Sequence, residues 1–433
     1  MIKSLSLSKN AIQLFLICSA MIGVSFSYGD FYLFHLFLLM IVSFWLYEFK
    51  EDGFKLNIKI FSEFNILILL IIFFWYLISL IWAPDFILGL KYIFYILCGI
   101  TLLINIVQFS DSIGAINKLF RFLSYFFFIE LIIGLFESFT FFRMPISSYS
   151  PLSINFGKEP INYSPFDNVI YYSMFNPPTG FHWNTNDLAI CVSIALPFFL
   201  CSKRLSIKIF GVSAITTIII MAASRAVFLG LILTFFLYLV FIKKRIGTLL
   251  LFWLVSFIFF WSMSVLRTSD NPRINEVANS VEAIRLYLKG EVDVGGSIEW
   301  RRQLVENGMN ALSKSNGFGL GAGGTVANQQ KIGPVAGRFT SMHNFWIEIL
   351  VEGGILIAFL FLLLLTRIVV SLYKISKKSK SFDLKYYSQS LFLAVCAFVP
   401  SAIAASSTIY FLPMWIMFGF AIAVIQLDFK SNP

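Results

Sequence analysis

The chain has 433 residues, of which 58% are hydrophobic and only 13% are charged, and its formal net charge is +10. A soluble globule needs more charged side chains to cover its surface, so this composition excludes a soluble domain and indicates an integral membrane protein. Basic residues concentrated in the loops of a membrane protein account for the positive charge, which argues against nucleic acid as a partner.

Long apolar segments recur along the whole sequence. A span of about 20 apolar residues crosses a hydrocarbon core of roughly 30 Å, and about twelve such segments are present. They lie near 11–29, 31–47, 64–82, 86–108, 119–141, 185–201, 206–224, 226–242, 247–266, 344–366, 387–408 and 410–427. The first is too long for the apolar core of a signal peptide and is expected to be retained. The prediction is therefore an all-α integral membrane protein that forms one polytopic domain over residues 1–433.

The loops between these spans differ in charge and in length. Lysine and arginine occur in every loop on one side of the predicted bundle, and basic residues in short loops stay cytoplasmic. Both termini are therefore predicted to be cytoplasmic, while two long loops, 142–184 and 267–343, face away from the cytoplasm. In the second loop, between spans nine and ten, apolar residues recur at helical spacing over 274–288 and 300–312, which predicts amphipathic helices.

All cysteines fall within or at the ends of predicted spans, so free, buried thiols are expected. They are Cys18, Cys98, Cys191, Cys201 and Cys396.

Ionisable residues at the outer half of the early spans are the first candidates for a functional site, because such groups are costly in a membrane unless they are paired or hydrated. Lys91 lies just inside the outer end of span four. Glu130 and Glu137 share one face of span five at heptad spacing. Some of the acids are expected to neutralise buried arginines rather than to perform chemistry.

The first long loop ends in the sequence FNPPTGFHWNTNDLA. His182, Asn184, Asn186 and Asp187 cluster there, directly before span six. Asp187 is positioned to cap the helix. His182, Asn186 and Asp187 are predicted to contribute to substrate binding.

Three arginines are candidates for binding an anion. Arg225 lies in MAASRAVFLGL, at the outer turn between spans seven and eight, while Arg301 and Arg302 lie in SIEWRRQLVENGMNAL. Adjacent helical residues point about 100° apart, so one of the latter pair can face a cavity while the other faces solvent. Guanidinium groups bind phosphate oxygens in a bidentate fork, which suits a diphosphate. The alternatives are an arginine that reaches the lipid headgroups and two solvated charges.

The end of the large loop combines the glycine-rich sequence GFGLGAGG (317–324) with His343. The glycine loop lacks the Lys-Ser/Thr ending of a nucleotide-binding loop, and its expected purpose is to make tight turns that bring the arginine helix against the mouth of span ten. His343 is a candidate general base. A capping or core histidine is the alternative, with Ser341 and Asn344 as possible N-cap residues.

Span ten carries a polar face inside its apolar sequence. Asn344, Glu348 and Glu352 recur every four residues and so lie on one side of the helix. Gly353 and Gly354 follow and are expected to allow close helix packing. Glu348 and Glu352 are therefore predicted to contact the substrate.

The order of these motifs resembles the O-antigen polymerase and O-antigen ligase superfamily of bacterial envelope glycosyltransferases. The matching motifs are PTGF-x-x-N-x-N-D-L-A, S-R-A at an outer turn, R-x-x-L followed by G-F-G-L-G, and H-N-x-x-I-E-I-L-V-E-G-G-I. The resemblance implies a GT-C-like bundle with a large periplasmic loop. By position, Arg225, Arg301 and His343 match the family's arginines and histidine. Arg302 is less certain, because Val305 stands where the family has tryptophan.

The resemblance also implies a reaction. Members act, without a metal or other cofactor, on glycans linked to undecaprenyl diphosphate at the outer face of the inner membrane. A polymerase that extends a lipid-linked repeat unit is favoured on composition. A ligase that transfers the glycan to lipid A-core or another anchor, as in lipopolysaccharide biosynthesis, is the alternative. A flippase or transporter is less favoured, because no internal repeat is seen. Expected partners are the lipid-linked oligosaccharide, membrane lipid and a chain-length regulator.

Overall fold

The computed structural model describes residues 2–52, 63–160, 177–245, 297–335, 339–405, 407 and 409–431. In these residues the structure is almost wholly helical, as predicted. The helices are α1 (Ile2–Ile22), α2 (Leu33–Asp52), α3 (Phe64–Ser79), α4 (Phe86–Phe109), α5 (Ile113–Phe139), α6 (Thr185–Leu200), α7 (Leu205–Met221), α8 (Arg225–Leu237), α9 (Ser297–Lys314), α10 (Gly324–Ile332), α11 (Phe345–Lys378), α12 (Phe382–Ser401) and α13 (Leu412–Ser431).

Short elements join or extend several helices. Two 3₁₀ turns cover Gly23–Phe26 and Pro151–Phe156, and a π-helix, Tyr238–Lys243, continues α8. Strands β1 (Ser27–Tyr28) and β2 (Phe31–Tyr32) form a two-stranded antiparallel hairpin between α1 and α2, with Ser27 opposite Tyr32.

The predicted spans can be compared with the helices one by one. Each coincides with a helix except the ninth, 247–266, which lies outside the described residues, as does the predicted loop helix near 274–288. The predicted loop helix at 300–312 is confirmed as α9. In the described part of the chain, six helical segments are long and apolar enough to cross a membrane: Lys9–Phe26, Phe86–Phe109, Ile113–Phe139, Arg225–Lys243, Phe345–Lys378 and Leu412–Phe429. The chain is thus an all-α protein with the helices of a membrane protein.

The described residues divide into two compact units. The first comprises 1–128, 304–392 and 406–433. Its core includes α4 packed on α13 and α3 packed on α11. Gly99 of α4 admits the ring of Trp415, since a Cβ at position 99 would lie 2.1 Å from the nearest ring atom. Small residues permit such close approach of helices in a membrane, where burial of apolar surface contributes little to helix association.

The second unit comprises 129–303 and 393–405. Here α6 packs on α7 and α8, and Gly211 of α7 gives room to the Phe199 ring of α6.

All five cysteines are free, as predicted. The expectation that all are buried is wrong for Cys201 and Cys396, which are partly exposed.

Candidate functional site

The turn between α7 and α8 places an arginine at the start of a helix. Helix α7 ends at Met221, and Ala223 adopts a left-handed backbone conformation with φ 53°. Ser224 is the N-cap of α8 but makes no side-chain cap, and its buried hydroxyl has no hydrogen-bond partner among the described residues. Arg225 is the first residue of α8. The N–H groups of the first turn and the positive end of the helix dipole there favour a negatively charged ligand.

Arg301 lies close to Arg225 within the second unit. Burial lowers the pKa of the Arg301 guanidinium, and the like charge of Arg225 lowers it further. Both effects oppose a second cation in this position. Two arginines held near each other can be stabilised by a shared anion, since a guanidinium keeps its charge at any relevant pH.

The neighbouring Arg302 has a different environment. Its side chain is exposed and donates two hydrogen bonds to Glu299, each of 2.9 Å. These hydrogen bonds lower the pKa of the Glu299 carboxyl. The pair lies on the surface of α9, where an i,i+3 ion pair contributes little. The two adjacent arginines therefore diverge, and Arg302 is the one that faces solvent.

Lys91 of α4 is also held by a surface partner. Its ammonium group lies 2.7 Å from the carboxylate of Asp30, in the turn between β1 and β2, and both side chains are exposed. A role for Lys91 in substrate binding stays a prediction.

The glycine-rich loop docks on α11 through main-chain hydrogen bonds. Leu320 N–H donates to the carbonyl of Val351 at 2.8 Å, Gly321 N–H to that of Glu352 at 3.0 Å, and Ile355 N–H to that of Gly317 at 3.0 Å. Carbonyl groups of a continuous helix are already engaged, so the loop requires an interruption. Gly354 supplies it, with φ 79° inside α11.

Glycine is required on both sides of this contact. A Cβ at Gly319 would lie 2.4 Å from the carbonyl oxygen of Glu352, and one at Gly354 would lie 2.4 Å from that of Phe318. The predicted tight turns are confirmed, and Gly308 of α9 is brought against Met342, just before α11. The prediction that Gly354 allows a neighbouring helix to pack closely is wrong, because the glycine-rich loop packs against it instead.

The two acids of span ten are buried inside the first unit. Thr325 Oγ1 donates to Glu352 Oε1 at 2.6 Å, and its backbone N–H does so at 3.3 Å. The Glu352 carboxylate thereby stabilises the first turn of α10. Glu348 is hydrogen-bonded by Tyr92 and Ser407. For each acid, Oε2 is buried with no hydrogen-bond partner in the described part of the chain. Substrate contact by these two residues stays a prediction.

His343 precedes α11 in a conformation that few non-glycine residues adopt, with φ 48°. Its ring contacts Phe339 edge-on at 5.4 Å between centroids, and the residue is partly exposed. Asn344 is the N-cap of α11 and accepts hydrogen bonds from Trp346 N–H and Ile347 N–H. His343 is therefore not the helix cap, and its role as a base stays a prediction.

The residues before α6 form a buried polar cluster in the second unit. His182 Nε2 lies 2.9 Å from Glu130 Oε1. Burial alone would lower the pKa of His182, but the Glu130 carboxylate raises it above its ordinary value. The thiol of Cys191 is 3.4 Å from Glu130 Oε2. Glu130 is therefore paired with a histidine.

The second acid of span five and the acid of α6 both bind residues of the loop before α6, the first through backbone N–H groups and the second through a side chain. Glu137 accepts hydrogen bonds from the N–H groups of Thr179 and Gly180, both at 2.7 Å. Asn184 is the N-cap of α6, and its side chain accepts from Asp187 N–H and donates to the Asp187 carboxylate at 2.7 Å. The prediction that Asp187 caps α6 is wrong, because a cap residue precedes the first helical turn and Asp187 lies within it. Substrate contact by His182, Asn186 and Asp187 stays a prediction.

Several partners in these contacts were not among the predicted site residues, and Thr325 and Cys191 are two of them. Thr325 gave no signal in the sequence, since it becomes a partner only when the glycine loop docks. Cys191 lies four residues after Asp187 and so on the same helix face, which is the one pattern that pointed to it.

Comparisons with known proteins agree with the motifs. Residues 209–362, which contain Arg225, Arg301 and His343, match the family model described as O-Antigen ligase. Over 377 residues the chain is 23% identical to the teichuronic acid biosynthesis protein TuaE of Bacillus subtilis (strain 168), covering 84% of this chain and 72% of that protein. The predicted resemblance to the O-antigen ligase and polymerase superfamily is confirmed.

Proposed function

We propose that this member of the O-antigen ligase and polymerase superfamily is a surface-polysaccharide polymerase. It transfers a glycan from undecaprenyl diphosphate to a lipid-linked repeat unit at the outer face of the inner membrane. The observation that carries the proposal is that Arg225 is close enough to the partly buried Arg301 to lower its pKa, so that both guanidinium groups can bind one diphosphate.

The reaction exchanges one bond at an anomeric carbon for another. The bond from this carbon to the diphosphate oxygen breaks, and a bond to the acceptor hydroxyl oxygen forms. Negative charge grows on the departing diphosphate, where Arg225 and Arg301 stabilise it. The energy of the diphosphate ester drives the transfer, so no nucleotide is consumed.

The acceptor hydroxyl loses its proton as the new bond forms, and His343 is the base that we assign to this step. Its side chain is partly exposed, and Asn344 rather than His343 caps α11. A neutral imidazole takes up the proton and returns it to solvent. A backbone held at φ 48° costs about 1–3 kcal/mol, and such conformations cluster at functional sites.

The alternative is a ligase, and the choice depends on the acceptor. The family model that matches the chain is described as O-Antigen ligase, which favours transfer of a finished glycan to an anchor. The relative from Bacillus subtilis is named for teichuronic acid biosynthesis. A shared role in making a surface polysaccharide is consistent with both, and we favour polymerase on the composition of the chain.

A deletion strain distinguishes the two. If the chain is a polymerase, its loss leaves single repeat units on the surface acceptor and on undecaprenyl diphosphate. If it is a ligase, long glycan accumulates on undecaprenyl diphosphate while the acceptor stays bare. Gel analysis of the surface glycan and mass spectrometry of the lipid-linked pool measure both. Unchanged glycan length and amount in both pools would refute the proposed function.

A further inference from the structure

The buried cluster of Glu130, His182 and Cys191 has the geometry of a metal site. One ligand atom of each residue lies within 4.8 Å of the others. His182 Nε2 and Glu130 Oε1 are 2.9 Å apart, and Cys191 Sγ and Glu130 Oε2 are 3.4 Å apart. Zinc binds such ligands at about 2.0–2.3 Å, which places neighbouring ligand atoms of a tetrahedron roughly 3.3–3.8 Å apart. Small side-chain movements would bring the three atoms to that spacing.

The chemistry of the three donors favours a particular class of ion. An imidazole nitrogen, a thiolate and a carboxylate together suit a borderline divalent cation, zinc above all. Magnesium and calcium prefer oxygen ligands alone. Glu130 and Cys191 are fully buried, and His182 is 5% exposed. A dry pocket strengthens the attraction between a divalent cation and two anionic ligands.

Charge around the cluster also suits a cation. Asp187 is close enough to act electrostatically on both His182 and Cys191. Its carboxylate is fixed by Asn184 at 2.7 Å.

We infer that Glu130, His182 and Cys191 bind one divalent transition-metal ion, of which zinc is the best match. On binding, the Cys191 thiol releases its proton to solvent and the thiolate coordinates the ion. A fourth protein ligand would complete the tetrahedral coordination of a structural ion. The ion ties the loop before α6 to α5 and so fixes the polar residues at the start of α6. It is structural, and it takes no part in the glycosyl transfer.

His182 occupies one of the unspecified positions of the family motif PTGF-x-x-N-x-N-D-L-A. The metal site is also independent of the arginines, and its test does not depend on the transfer reaction. The outcome therefore leaves the proposed function untouched in either direction.

The test uses the full-length protein purified in detergent with an affinity tag that contains no histidine. Elemental analysis by mass spectrometry should find about one zinc per chain, as a single structural site requires. Cys191→Ser and Glu130→Gln should each lose most of it. Cys396→Ser, which removes another free thiol of the same unit, is the matched control and should retain it.

Cobalt provides a spectroscopic check on the ligand set. Protein treated with a chelator and then loaded with Co²⁺ should show a near-ultraviolet band from thiolate-to-cobalt charge transfer. The band should be present in Cys396→Ser and absent in Cys191→Ser. Chelation should lower the midpoint of thermal unfolding of the wild type by several degrees and leave that of Cys191→Ser unchanged.

Two results would overturn the site. One is wild-type protein that carries no zinc as purified and takes up neither Zn²⁺ nor Co²⁺ at micromolar concentration, which would leave a buried Glu130–His182 pair with a neighbouring thiol. The other is a Cys191→Ser variant with the zinc content and cobalt spectrum of the wild type. If Glu130→Gln fails to fold, the zinc content and the cobalt spectrum of Cys191→Ser still decide whether the metal site exists.

Discussion

Two regions of the molecule use charged side chains in opposite ways. Where the glycine loop meets α11, Glu352 accepts two hydrogen bonds from Thr325, and glycine backbones make the contact possible. At the turn before α8, Arg225 brings a second positive charge toward Arg301, whose burial already opposes its own charge. The first region supplies hydrogen-bond donors to a buried acid, whereas the second brings two like charges together. Two neighbouring guanidinium groups at the start of a helix suit an anionic ligand.

The largest expected effect follows from removing either arginine. Arg301→Ala and Arg225→Ala should each reduce glycan transfer at least about 100-fold, as removal of a charge-stabilising donor does in other enzymes. Arg301→Lys should restore little, because a point charge lacks the bidentate fork. The measurement is the rate with purified enzyme and native lipid-linked donor.

The adjacent arginine is the matched control for this comparison. Arg302 is exposed and paired with Glu299, so Arg302→Ala should stay within a few-fold of wild type. If Arg302→Ala lost as much activity as Arg301→Ala, the assignment of the two neighbours would be reversed. Near-normal rates in both the Arg225 and Arg301 variants would refute the hypothesis that these two arginines bind the diphosphate.

Substitution of His343 tests whether this residue, which precedes α11, takes part in the chemistry or only positions the acceptor. His343→Gln keeps a hydrogen-bonding side chain but has no basic nitrogen, so the rate should fall about 100-fold or more. Binding of the lipid-linked donor, measured separately, should persist because the arginines remain. Activity within a few-fold of wild type, with an unchanged pH profile, would assign His343 to positioning alone.

Disrupting the contact between the glycine loop and α11 should lower the stability of the fold more than the activity. Gly354→Ala places a Cβ where the carbonyl of Phe318 now lies, at a φ of 79°, and should destabilise the fold by about 1–3 kcal/mol. Gly114→Ala is the control, because the space around Gly114 is open. Thermal unfolding in detergent measures both variants. Equal midpoints for the two variants would show that the loop does not depend on the interruption of α11.

The smallest expected effect concerns the hydrogen bond between Thr325 and Glu352. Thr325→Val removes the hydroxyl at nearly constant volume and should cost about 1–2 kcal/mol, because the buried carboxyl oxygen then loses the shorter of its two hydrogen bonds from Thr325. Thr325→Ser keeps the hydroxyl and should recover most of the loss in the same unfolding assay. A Thr325→Val midpoint equal to that of the wild type would show that Glu352 is satisfied in another way.

Part of this description could be predicted from the sequence. Apolar length is a local property, so the spans and the fold class followed from composition, and each predicted span within the described residues is a helix. The motifs around Arg225, Arg301 and His343 predicted the resemblance to the O-antigen ligase and polymerase superfamily that the comparisons support. The tight turns of the glycine loop followed from the unusual density of glycine between 317 and 324.

The tertiary structure alone decided which polar groups meet. Glu130 approaches Cys191 across 61 positions of sequence, and Thr325 reaches Glu352 across 27. Helices that are apolar all around carry no periodicity to specify their rotation, so hydropathy could not tell which face of α5 or α11 turns inward. The same limit explains why the sequence did not predict the loop that packs against Gly354. Apolar length determines where a helix runs, whereas packing determines what its polar residues touch.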